Sequence, residues 1–246
     1  MDHLVYISSS GAREAMIAQA ANTQNLANAS TVGFRADFMM AQRASAPSQE
    51  LGTRAYASMQ NSAVDFQPGV INSTGRELDV AISGHGWMAV ATAEGGEAYT
   101  RRGDLRVNEL GQLSNGAGQV VMGNSGPVAL PPFTDIAIGS DGTVSIVPLG
   151  EGPATLAVVD RIKLVNPDQD SLSKGENGLI QLNSGEKASA DADVSLLSGS
   201  LESSNVDSVG AMVRMIELAR GFENHIKMTE IAEQLDAASA KLMSLS

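Results

Sequence analysis

Residues able to do chemistry are few and scattered in this chain. The three histidines, His3, His85 and His225, are isolated, and no HxxxH or HExxH spacing pairs them as metal ligands would be paired. There is no cysteine, which removes thiol catalysis, thiolate metal sites and disulfides together. The stretch SGHGW at 83–87 has the outline of a glycine-flanked nucleophile. That device needs glycine two residues either side of a serine at a strand-to-helix turn. Here both flanking runs are strand-like, and the segment reads as a hairpin turn. Acids cluster in PDQDSLSKGENG, residues 167–178, but a calcium loop counted from Asp168 would need glycine where Ser173 stands. That segment reads as a solvated loop. NSGP and LGEGP are too short, and sit in too β-like a context, to cradle a phosphate. The residues therefore call for no catalytic group, no metal and no cofactor.

The polar spacing that does stand out belongs to amides. QAANTQNLANASTVGF (19–34) places Asn22, Asn25 and Asn28 three residues apart in an alanine-rich run. Each interior asparagine costs a helix about 0.6 kcal/mol against alanine, so three cost an isolated helix about 2 kcal/mol. A carboxamide supplies both donors and acceptors. On a face that meets other helices, such groups fix register where an apolar stripe alone would let the helices slide. The alternative is that the three face solvent or a channel.

Prolines and glycines show which elements position these residues. All eight prolines fall between Pro47 and Pro167, and only Gly11, Gly33, Gly210 and Gly221 lie within residues 1–34 or 204–246. Both ends are therefore free to be helical. At the N-terminus, Ala12, Met16, Ala20, Thr23 and Ala27 recur at helical spacing, with Leu26 beside them and Gly33 as a stop. At the C-terminus, Ser204 and Asp207 have the spacing of a capping box. Val209, Met212, Ile216 and Ala219 form one apolar stripe, and Met228, Ile231, Leu235, Ala238, Leu242 and Leu245 form another in a different register. A helix with two such stripes needs neighbours on more than one side.

Between the ends, residues 35–75 lack sustained periodicity and read as an extended connector holding at most a strand or short hairpin. From residue 76 the pattern turns to β: LDVAIS, WMAVATA, EAYTR, DLRVN, QVVMG, DIAIG, TVSIV, LAVVDRIKLV and LIQLN, separated by turn residues. Gly95-Gly96, Asp141-Gly142 and Asn177-Gly178 mark tight turns. The expected fold is α+β, with N- and C-terminal helices paired in a coiled-coil-like helical domain and an antiparallel all-β domain inserted between them. The expected boundaries are 1–34 and 204–246 for the helical segments, 35–75 for the connector and 76–203 for the β domain.

Net charge is −12, most of it on the middle segment, since residues 1–34 carry −1 and residues 205–246 carry −2. Such a field repels phosphate backbones and anionic membranes, so neither nucleic acid nor a lipid surface is an expected partner. No apolar run approaches the roughly 18 residues that span a bilayer. The start, MDHLVYISSSGA, has an acid where a secretory signal carries basic residues, and no apolar region follows.

These same segments carry a family resemblance. NLANASTVGFRAD (25–37) resembles the N-terminal signature of bacterial flagellar axial proteins, which form rod and hook. LDVAISGHGWMAVATAEGGEAYTRRGDLRVNELGQL (78–113) resembles their shared β segment, and LESSNVDSVGAMVRMIELARGFENHIKM (201–228) their C-terminal signature. The three occur in the family's order. Within the family, chain length, Trp87 and DRIKLV (160–165) are most similar to proximal-rod members.

The resemblance implies a non-enzymatic subunit of the rod, the drive shaft that crosses the periplasm. It implies export through the flagellar type III apparatus without a cleaved signal, followed by helical assembly with copies of itself and other rod subunits. It further implies that the terminal helices line the tube and pack subunit to subunit. The expected interface residues are Met16, Asn22, Asn25, Leu26, Asn28, Met212, Ile216, Met228, Ile231, Leu235, Leu242 and Leu245. A distal-rod or hook subunit is the nearest rival, and a secreted β-rich adhesin or enzyme a more remote one.

Overall fold

The fold was analysed in a computed structural model that describes residues 2–45, 55–150, 155–175 and 177–243. The chain divides into two compact units. One comprises Met1–Ala29, Ala36–Asp65 and Val206–Ser246, and the other Ser30–Arg35 with Phe66–Asn205.

The first unit holds two helices, α1 (Asp2–Ala27) and α2 (Ser208–Met243). Helix α2 starts one residue after Asp207, whose carboxylate accepts the Val209 N–H at 3.1 Å. Asp207 is thus the cap itself, and the expected capping box from Ser204 is displaced by it. The helices lie alongside one another and antiparallel, since Asn22 of α1 meets Ala211 of α2 while Gly11 meets His225.

The coiled-coil-like pairing expected of them is not what forms. A heptad seam inserts large apolar side chains between neighbouring helices. Among the described residues the buried positions are small or polar: Ser8, Ala12, Ala18, Asn22 and Asn25 on α1, Ala211 and Ala232 on α2. Of the expected stripes, Val209, Met212, Ile216, Met228, Ile231 and Leu235 stay exposed. Small side chains let the backbones approach closely, and the His225 ring occupies the notch left by Gly11, where any Cβ would overlap the imidazole.

An antiparallel hairpin, β1 (Asp37–Ser45) and β2 (Ala55–Val64), accompanies the helices. Its register runs from Asp37 opposite Val64 to Ser45 opposite Ala55, with a bulge between Met40 and Ala41.

The second unit is antiparallel β throughout. A five-stranded sheet takes the order Leu164–Val165, Trp87–Ala91, Glu97–Thr100, Ile180–Leu182, Leu172–Lys174. A three-stranded sheet takes the order Ala157–Arg161, Thr143–Pro148, Phe133–Ile138. Three two-stranded pairs complete it: Val80–Ser83 with Ser195–Ser198, Ile71–Ser73 with Ser200–Glu202, and Leu105–Val107 with Leu113–Asn115. The core is aliphatic, centred on Met88, Val90, Leu105, Leu113, Val121 and Ile146.

The expected turns fall between paired strands, where Gly95, Gly142 and Gly178 all take positive φ. The SGHGW segment differs from its expected hairpin. It links Val80–Ser83 to Trp87–Ala91, which pair in different sheets. The QVVMG run contributes isolated bridges, Ser114 to Val120 and Val90 to Val121, in place of a full strand.

Candidate assembly interface

The asparagine series divides by what each amide holds. Asn22 is buried and donates its Nδ2–H to the Ala211 carbonyl at 2.8 Å, fastening α1 to α2. Asn25, also buried, binds both backbone groups of Asp37. Its Nδ2–H donates to the Asp37 carbonyl at 2.8 Å, and its Oδ1 accepts the Asp37 N–H at 2.9 Å. That two-way bond clips the start of β1 onto α1. Asn28 is half-buried and donates to the Gln24 carbonyl at 2.9 Å, a local bond within the helix end. The same spacing therefore serves three jobs: helix to helix, helix to hairpin, and helix to itself. Ala18, Ala21, Phe38, Arg214 and Leu218 line a groove beside the two buried amides.

The apolar stripes point elsewhere. Val209, Met212, Val213 and Ile216 stand at positions i, i+3, i+4 and i+7 of α2, and all are more than half exposed. At 3.6 residues per turn they share one face, opposite the side on which Ala211 is buried. Met228, Ile231 and Leu235 form a second exposed stripe, rotated about a quarter turn from the first. Met16 is exposed on α1 and Leu26 is half-buried. Leu242 lies in the last turn of α2 with its side chain outside the described residues, and Leu245 lies beyond them.

Two exposed apolar residues near the start of α1, Tyr6 and Ile7, were not singled out by sequence spacing. They sit one position apart and match no stripe of period 3.6. Along α2, exposed charges of alternating sign recur every third residue at Arg214, Glu217, Arg220 and Glu223.

Four large apolar side chains thus share one exposed face of a helix that is buried on its other side.

The family model described as flagellar basal body rod FlgEFG protein C-terminal matches residues 197–242, and that described as flagellar hook protein FlgE/F/G D1 domain matches residues 81–146. The chain is 36% identical over 252 residues to flagellar basal-body rod protein FlgF of Salmonella typhimurium (strain LT2), with 100% of both chains covered. It is 37% identical over 252 residues to FlgF of Escherichia coli (strain K12), again with 100% of both covered. Flagellar basal-body rod protein FlgG of Bacillus subtilis (strain 168) is 32% identical over 234 residues, 86% of this chain and 88% of the relative. The chain belongs to the flagellar basal-body rod protein family, and its full-length likeness is to the FlgF members.

Proposed function

We propose that this chain is a structural, non-enzymatic subunit of the flagellar basal-body rod, which packs against copies of itself and other rod subunits through the exposed faces of its terminal helices. The observation that carries this reading is the exposed stripe Val209, Met212, Val213 and Ile216, opposite the face that α2 buries against α1. Burying each half-exposed side chain contributes about 1 kcal/mol, so one such contact per subunit, repeated along a rod, amounts to several kcal/mol per joint. Met16, Met228, Ile231, Leu235, Leu242 and Leu245 extend the same interface. Asn22 and Asn25 act on it from behind, by fixing how α1, α2 and the hairpin present these faces. Full-length likeness to FlgF proteins supports a place in the proximal rod at the basal body.

Passage through the type III export apparatus, unfolded and without a cleaved signal, belongs to the same reading. It is supported by the absence of cysteine, which leaves no disulfide to resist threading. The distal-rod reading draws on the likeness to Bacillus subtilis FlgG. Electron microscopy of basal bodies from cells lacking this chain distinguishes the two. A proximal subunit leaves no rod beyond the base, a distal subunit leaves a short rod, and intact rods would refute both.

A further inference from the structure

The chain passes between the two units four times, at residues 29/30, 35/36, 65/66 and 205/206. The segments of the second unit that carry these passages converge on one buried carboxylate. Glu202 is fully buried, and its Oε1 accepts from Arg35 Nη2 at 2.6 Å and from the Gly69 N–H at 2.8 Å. Its Oε2 accepts from Arg101 Nη1 at 2.9 Å, and its backbone carbonyl accepts the Gly33 N–H at 2.8 Å. Residues 33 and 35 belong to the first two passages, residue 69 follows the third, and residue 202 precedes the fourth.

Arg101 is anchored in turn to the β sheet. It donates to the carbonyls of Gly86 at 2.9 Å and Gly84 at 2.6 Å. The guanidinium carbons of Arg35 and Arg101 lie 5.9 and 5.4 Å from the ring of Trp87, the chain's single tryptophan. The close fit is built into the backbone. Gly33 has φ +67°, and a Cβ there would overlap the Arg101 main chain, while one at Gly69 would overlap the Ser203 carbonyl.

An ordinary stability role accounts poorly for this arrangement. The unit already has an aliphatic core, and a buried ion pair is often no more stabilising than apolar side chains of the same size. What the charged cluster supplies is direction. It ties segments far apart in sequence to a single point with bonds of fixed geometry.

We propose that Glu202 is the fastening point that holds together the segments on which the β unit's chain begins and ends, so that the cluster sets that unit's resistance to load beyond its share of folding stability. This rests on the rod reading. In the purified full-length chain, Glu202→Gln keeps the shape and removes the charge. Protease cutting within residues 30–35 and 66–69 then rises about tenfold relative to cutting at the Glu94–Gly96 turn, and Trp87 emission changes. A uniform rise across the unit would overturn the proposal, because it would mark an ordinary core position.

In cells, the matched control is Ile146→Val, a core change far from the cluster. Glu202→Gln cells swim in thin medium and stall in viscous medium, whereas Ile146→Val cells slow equally in both. Equal load dependence of the two variants would overturn the proposal. If Glu202→Gln fails to fold, Arg101→Lys, which keeps the charge but loses the planar fork, is scored by the same two ratios. Selective cutting in a chain whose deletion leaves rods intact would refute the rod reading and leave the fastening point standing.

Discussion

Replacing Asn25 by alanine tests whether the amide series is a set of internal fasteners. Asn25 satisfies both the N–H and the carbonyl of Asp37, at 2.9 and 2.8 Å, from a buried position. Losing a buried partner costs each backbone group about 1.5 kcal/mol, or about 3 kcal/mol for the pair. Alanine returns about 0.6 kcal/mol through its higher helix propensity. The net loss is about 2 kcal/mol, which raises the opening equilibrium of this junction roughly 30-fold.

Amide hydrogen exchange in the full-length chain reads this directly. Asp37 should exchange about 30-fold faster in Asn25→Ala, whatever the amides of the β unit do. Asn28→Ala is the internal control, because its bond to the Gln24 carbonyl is exposed and local. Asn28 lies one residue beyond α1, where no interior helix propensity is gained, and exchange at Asp37 should hold steady. Exchange at Asp37 within twofold of the parent in Asn25→Ala would refute the reasoning, and so would equal damage from Asn28→Ala.

Ile216→Asp places a charge on an exposed face, so folding stability should move by no more than about 0.5 kcal/mol while swimming on soft agar is lost. Gly11→Ala pushes a methyl group into the His225 ring and should lower the helical melting transition by about 1–3 kcal/mol, with His225→Ala restoring most of it in the double variant. Burial raises the ionisation of Tyr99 above its ordinary value, outweighing the opposing Ala188 N–H bond. The neutral phenol therefore contributes stability below a pH of about 10, and that contribution is lost as pH climbs through the folded value. In an alkaline titration followed by phenolate absorbance, Tyr99 should ionise later than an ordinary tyrosine, and Tyr99→Phe should remove that late step.

Hydropathy spacing located the large exposed residues of α2, because Met212, Ile216, Met228, Ile231 and Leu235 recur at helical intervals. The same spacing misled about the contact between the helices. Periodicity weights a methionine above an alanine, whereas the pair actually closes on Ala12, Ala18, Ala211, Ala232 and the Gly11–His225 notch. A glycine in a helical pattern and an isolated histidine each look like noise until 214 residues of separation are folded away. The antiparallel β character was legible from alternation and turn glycines. Ser195–Ser198 and Ser200–Glu202 escaped because serine-rich runs resemble loops and their partners lie over 100 residues upstream. Glu202 sits in LESSN, which reads as solvated surface. Only the fold brings Arg35 and Arg101 to it.

Because the chain has no cysteine, a single Ile216→Cys substitution gives an unambiguous probe of the interface. The residue is 55% exposed, so a maleimide should label it readily in the free chain. Assembly through the exposed face of α2 predicts labelling at least about tenfold slower in isolated basal bodies than in the free chain. Equal labelling rates in the two would contradict it.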